Sequence, residues 1–220
     1  MPLELANAWY RYGRAWVVRG ASLRLGGSEV VALVGPNGAG KTTILKLMAG
    51  LLKPCRGDLL VDGASLWGMS ERERLAVRRG IVYVHEKPVM VRGSVWDNIA
   101  LGLRLRGAGE DLIASRVEWA ARLMGLEDLL EERASTLSAG QAQAVSIARA
   151  LALKPRYLLL DEPHSSLDRA RRGMLVDVLR MHASRGVGIA VATHDLGLVD
   201  ALWARLVEVE GGVIVRTGGG

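Results

Sequence analysis

Apolar residues in this chain gather into short unbroken runs separated by longer stretches with helical spacing. EVVALV (29–34), GIVYV (80–84), YLLLD (157–161) and VGIAVAT (187–193) are strand-length and almost wholly apolar, as expected of strands covered on both faces. Helical patterns separate most of them, and that alternation predicts an α/β fold built on a mainly parallel sheet. Near the N-terminus, LELANAW and AWVVRGASLRL alternate apolar and polar positions and predict antiparallel strands, hence an antiparallel β subdomain. ARLVEVEGGVIVRTG predicts a late hairpin turning at Gly211-Gly212. KTTILKLMAGLL predicts a helix closed by the KP that follows it.

Between Ser94 and Leu153 the pattern changes. SVWDNIALGLRLRG, EDLIASRVEWAARLMG, EDLLEERA and LSAGQAQAVSIARALALKP are all helical in spacing, with no strand candidate among them. The expected organisation is one domain over residues 1–220, with a helical subdomain at approximately 88–153 inserted into the α/β core. The closing GGG reads as a frayed end.

Composition narrows the class. Half the residues are hydrophobic, too many for a disordered chain, and the apolar runs are far too short to span a membrane as a helix. The N-terminal MPLELANAWYRYG lacks a basic segment followed by an apolar stretch, so no signal peptide is expected. Cys55 is the only cysteine, which excludes an internal disulfide and fits a reducing compartment. The net charge of +6 comes mostly from arginine. No basic block is interleaved with aromatics, so the charge reads as a solvated surface and no nucleic-acid partner is expected.

The chemistry begins at GPNGAGKTT, residues Gly35, Pro36, Asn37, Gly38, Ala39, Gly40, Lys41, Thr42 and Thr43. It matches G-x-x-x-x-G-K-[ST] and lies between a predicted strand and a predicted helix, where such a loop must sit to hold a phosphate. Glycines let backbone N–H groups converge on the β-phosphate, Lys41 supplies a point charge for the β- and γ-phosphates, and the Thr42 hydroxyl can ligate Mg2+. In YLLLDEP, Asp161 ends a buried strand, where its carboxylate can hold that metal through a water. Glu162 follows, placed to polarise an attacking water. These residues point to a nucleoside triphosphatase.

A second glycine-bearing stretch, LSAGQ (137–141), opens a long Ala-rich helix, and a helix N-terminus is itself an anion site. The order GPNGAGKTT, LSAGQ, YLLLDEP, SSLD and ATHD resembles that of the ATP-binding cassette (ABC) transporter nucleotide-binding subunit over nearly the whole chain. The resemblance implies an ATPase that pairs head to tail with a second copy of itself. Ser138, Ala139, Gly140 and Gln141 of one copy then cap the γ-phosphate of the ATP held by the other's loop. It also implies a place for Asp168 of SSLD at the subunit interface, for His194 as a switch contacting the γ-phosphate and water, and for Tyr12 stacked on adenine.

This chain departs from the family pattern in three places. Ala139 stands where glycine is usual, and one methyl is tolerated if the backbone there is in a common region. Ala144 replaces a frequent arginine, removing a charge from what is expected to be the exposed start of the helix. Glu86 replaces a glutamine that in the family reaches the metal and the attacking water when the site closes, and it is expected to add its own carboxylate to the Mg2+ site.

With no membrane span, the resemblance implies a peripheral subunit on the cytoplasmic face of the cell membrane, docked on separate permease subunits and served by a solute-binding protein. EKPVMVRGSVWDNIALGLRLRG resembles the corresponding segment of oxyanion importers, tungstate above phosphate. The alternative is a soluble cassette ATPase acting as a mechanical clamp in macromolecular assembly or repair. The repair members' long coiled coils are not matched here by any heptad series.

Overall fold

The computed structural model describes residues 2–218; Met1 and the last two residues of the GGG end lie outside the described residues. The chain divides into two compact units. One comprises Met1–Tyr83, Arg156–Glu162 and Arg180–Gly220, the other Val84–Pro155 and Pro163–Leu179.

The first unit is built from strands β1 (Leu3–Tyr12), β2 (Ala15–Leu25) and β3 (Val30–Val34), helix α1 (Lys41–Met48), strands β4 (Arg56–Val61) and β5 (Ala64–Ser65), helix α2 (Glu71–Arg79) and strand β6 (Ile81–Val84). Later in the chain β7 (Tyr157–Asp161), β8 (Gly188–Thr193), β9 (Arg205–Glu210) and β10 (Val213–Thr217) complete it, with helix α7 (Leu196–Ala201) between β8 and β9. One sheet has the order β10-β9-β3-β8-β7-β6. Its β3, β7, β8 and β9 pair in parallel, and only the β9–β10 hairpin is shown antiparallel. All residues of β7 and β8 are buried, which is why both read as unbroken apolar runs. A second sheet, β2-β1-β4-β5, is antiparallel throughout.

A core common to both sheets takes Leu3 and Leu5 from β1, Leu59 from β4, Ile44, Leu45 and Leu47 from α1, and Leu159 from β7. Each such fully buried side chain contributes roughly 1.5–3 kcal/mol. The helix beginning at Lys41 is shorter than its apolar pattern predicts. It stops at Met48 because Gly50 takes a left-handed φ of 63°, which leaves Leu51 and Leu52 outside it.

Strand β4 and helix α2 have no forewarning in the apolar pattern. Strand β4 begins with two exposed residues, and α2 buries none of its side chains, so it has no apolar face to read. A capping box at Ser70 and Glu73 starts α2 instead.

The second unit is helical: α3 (Val95–Leu105), α4 (Glu110–Leu123), α5 (Ala139–Ala152) and the first part of α6 (Arg169–Ser184). Buried Ile113, Val117, Ala120 and Ala121 on α4 follow the spacing of one helix face. EDLLEERA, expected as helix, forms only a 3-10 turn over Glu127–Leu129, in which no residue is buried. Without a buried face, so short a segment does not sustain an α-helix. Ala144 is fully buried on α5 rather than exposed. The helix turns that side inward together with Val145, Ile147 and Ala148, so the position lies in the packed interior of the unit.

Candidate functional site

The phosphate-loop residues connect β3 to α1, as their local sequence requires. Two glycines are dictated by close backbone approach. A Cβ on Gly35 would lie 2.1 Å from the Val209 carbonyl oxygen. One on Gly40, whose φ is 103°, would lie 2.8 Å from that of Val17. The loop is buttressed by the late hairpin, whose Gly212 N–H donates to the Ala39 carbonyl at 2.9 Å while Arg19 N–H donates to the Gly212 carbonyl at 2.8 Å. Gly40 gives α1 no side-chain cap and the first turn carries no acidic residue, so that helix start presents backbone donors to an anion. Lys41, only 7% exposed, donates to the loop's own Gly35 and Pro36 carbonyls at 2.7 and 3.1 Å. Its ammonium is thus held over the cradle.

Asp161 ends β7 and is 2% exposed. Thr42 Oγ1 donates to its Oδ1 at 3.1 Å, and the Tyr83 hydroxyl donates to its Oδ2 at 3.0 Å. Because the Thr42 proton is committed to the carboxylate, its lone pairs are left for a cation. A hydroxyl and a carboxylate are hard oxygen donors, and Mg2+ typically takes one or two such protein ligands beside phosphate and water. The residues therefore fit Mg2+. Among the described residues no group of three His, Cys, Asp or Glu side chains could hold a metal by itself.

Glu162 follows in a left-handed conformation, φ 43°, with its N–H bonded to the Ala192 carbonyl at 2.9 Å. Its Oε1 lies 2.9 Å from His194 Nδ1, and Thr193 Oγ1 donates to Oε2 at 3.4 Å. The side chain of Glu162 is 13% exposed and that of His194 66%. The carboxylate is thus positioned from β8 while the imidazole stays open to solvent. Tyr12 is 49% exposed at the end of β1, edge-on to Tyr10 with ring centroids 5.0 Å apart.

In the helical unit, Ser138 caps α5. Its Oγ accepts from the Gln141 N–H at 3.2 Å, and Gln141 Oε1 accepts from the Ser138 N–H at 2.8 Å. The S-x-x-Q spacing of a capping box was present in the sequence as a local signal for this helix start. The Ser138 O–H proton remains free for an acceptor. Ala139 is exposed and helical, not in a left-handed region, so its methyl is unstrained. Gly140, by contrast, could not carry one: a Cβ there would lie 2.6 Å from the Ser166 carbonyl oxygen.

Close approach at Gly140 brings the start of α5 against the SSLD segment. There Asp168 Oδ1 accepts from the Arg171 N–H at 2.8 Å, and Oδ2 pairs with its guanidinium at 2.7 Å. The backbone N–H of Arg171, with its side chain, holds the Asp168 carboxyl below the usual carboxylate range. Glu86 is exposed in the bend after β6.

Gly35 to Thr43, Asp161, Glu162 and His194 thus lie in the first unit, and Glu86, Ser138 to Gln141 and Asp168 in the second. Tyr83 did not stand out in the sequence, and Gly212 stood out only as part of the hairpin turn. No short spacing links either to the residue it serves.

Comparison with known proteins points to one family. The family model described as ABC transporter matches residues 18–165. The chain is 36% identical to the phosphate import ATP-binding protein PstB 2 of Natronomonas pharaonis, over 98% of this chain and 79% of that protein. It is 35% identical to a probable anion import ATP-binding protein of Haloferax volcanii, over 98% and 80% respectively. Among solved structures, it resembles the dimeric post-hydrolysis state of the ATP-binding cassette MJ0796 bound to ADP and Pi. That match has a TM-score of 0.87 and 25% identity, covering 98% of this chain and 97% of that one.

Proposed function

This chain belongs to the ABC transporter family and hydrolyses ATP, and from that premise we propose that it is the motor subunit of an anion importer, closing head to tail with a second copy around two ATP molecules. The observation that carries this reading is the pair of glycine-bearing helix starts in one chain, at Gly40 on α1 and at Ser138 on α5, each of a kind that can take an anion. The loop before α1 is read as the cradle of one triphosphate. The Ser138 hydroxyl and the N–H groups of Ala139 and Gly140 are then available to the γ-phosphate held by a partner. The dimeric, ADP- and Pi-bound structure that this chain resembles supports pairing with a second copy.

In this mechanism Lys41 exchanges the Gly35 and Pro36 carbonyls for β- and γ-phosphate oxygens, while the loop N–H groups hold the β-phosphate. Thr42 and Asp161 would hold Mg2+, which would supply charge neutralisation for the transferring phosphoryl group. Glu162 orients the attacking water, kept in place by Thr193 and His194. His194, being mostly exposed, can turn its ring from Glu162 to the γ-phosphate as the site closes. Tyr12 stacks on adenine, Asp168 faces the opposing loop, and Glu86 is read as a further carboxylate that would ligate Mg2+.

Among the described residues no helix is long and apolar enough to cross a membrane. In this reading the subunit is peripheral on the cytoplasmic face, docked on integral permease subunits, with a solute-binding protein completing the system. Relatives named for phosphate and anion import support an oxyanion as cargo.

The test is ATP-dependent association. Ser138→Arg should abolish the ATP-bound dimer in light scattering while the monomer's ATP affinity is unchanged. Loss of ATP binding in step with dimerisation would overturn the two-chain assignment. Co-purification of the tagged chain with a multi-span permease tests the transport reading separately.

A further inference from the structure

The Asp161 carboxylate is gripped at both oxygens by hydroxyls from different elements: Thr42 of α1 on Oδ1 at 3.1 Å, and Tyr83 of β6 on Oδ2 at 3.0 Å. We propose that Tyr83 is a positioning residue for the metal, its phenol holding Asp161 in the one orientation that keeps Oδ1 on Thr42 and toward the ion. This rests on reading Thr42 and Asp161 as the Mg2+ ligands of the ATP site.

The argument is torsional. The last torsion of an aspartate is broad and roughly two-fold, so a carboxylate anchored at one oxygen can still swing about that contact. A second anchor on the other oxygen defines the carboxylate plane. Here the second anchor is on rigid scaffold, because β6 is the strand next to β7 in the sheet and Tyr83 is half-buried within it. A phenol that only needed a partner could have found a carbonyl or water. This one donates to a carboxylate that is 2% exposed, an environment in which a hydrogen bond to a charged acceptor counts most. Residues that orient a metal ligand in this way alter metal affinity roughly tenfold to a hundredfold when removed.

Tyr83→Phe deletes the hydroxyl and keeps the ring, so the strand's packing is retained. ADP affinity is measured by calorimetry for both proteins in EDTA and again with Mg2+. Mn2+ affinity of the ADP-loaded proteins is measured from the free-ion paramagnetic resonance signal. The expected result is equal ADP affinity in EDTA, with Mn2+ affinity lower by roughly tenfold to a hundredfold in the variant.

Equal Mn2+ affinity in the two proteins overturns the proposal. So does a fall in ADP affinity that is the same with and without metal, because a merely structural role for the phenol would produce it. If even the wild type binds ADP with no dependence on divalent metal, the assignment of Thr42 and Asp161 as metal ligands fails, and the role of Tyr83 falls with it.

Discussion

Glu162→Gln separates chemistry from architecture at a single atom. The substitution replaces one carboxylate oxygen by an NH2 group and removes the proton acceptor for the attacking water. The backbone N–H bond to the Ala192 carbonyl at 2.9 Å and the left-handed φ of 43° are features that glutamine can keep. A positioned general base contributes about 10²- to 10⁴-fold, so turnover should fall by at least about a hundredfold, or some 2.7 kcal/mol on the barrier. Stability should hardly move. The interactions that glutamine weakens are a long bond from Thr193 and the contact with His194, whose side chain is 66% exposed, and a pair open to solvent on one side is worth about 0–1 kcal/mol after screening. For a chain of this size that is a melting shift of no more than about 4 °C.

The assay pairs phosphate release at saturating Mg2+ and ATP with calorimetric ATP binding and a melting curve. With hydrolysis blocked, the ATP-bound dimer should also persist on size exclusion. Turnover within a few-fold of wild type would refute the role given to Glu162. Loss of ATP binding alongside turnover would refute the claim that its carboxylate acts only on the water.

Two further substitutions probe the second unit. In Glu86→Gln, the removed charge should relax the divalent-metal requirement and ease ATP-driven closure, because a carboxylate near the ion raises metal affinity and repels the γ-phosphate. Superimposable Mg2+ titrations of hydrolysis would make Glu86 a bystander, and a stricter metal requirement in the variant would reverse the electrostatic account. Gly140→Ala should lower the melting temperature and weaken ATP-dependent dimerisation, since its Cβ would sit 2.6 Å from the Ser166 carbonyl oxygen and the start of α5 would have to shift. Gly173→Ala, on α6 where a Cβ meets nothing within 4 Å, is the matching control: it should leave dimerisation unchanged and raise the melting temperature slightly, as alanine does in place of glycine within a helix.

The sequence by itself determined whatever depends on contiguous residues. Gly35 to Thr43 form a loop between a strand and a helix because every residue that shapes the turn is next to its neighbour. The fully buried β7 and β8 could be read from composition alone, since strands covered on both faces must be apolar at every position. The family also was legible, because the order of short local motifs survives without knowledge of their contacts.

Tertiary structure alone decided what depends on partners distant along the chain. Strand β4 exists because it pairs with β1, from Leu3 opposite Val61 to Trp9 opposite Arg56, and its own polar start gives no sign of it. EDLLEERA failed as a helix because none of its 3-10 turn is buried, and Ala144 proved interior because α5 turns that face inward.

The finer geometry of the site is of the same kind. Gly212 supports Ala39, and Tyr83 reaches across 78 positions to Asp161. Such contacts carry no sequence spacing, because sheet order rather than chain order brings β6 beside β7. A hydrogen bond depends on where two atoms meet in space, and for these pairs only the folded sheet decides that.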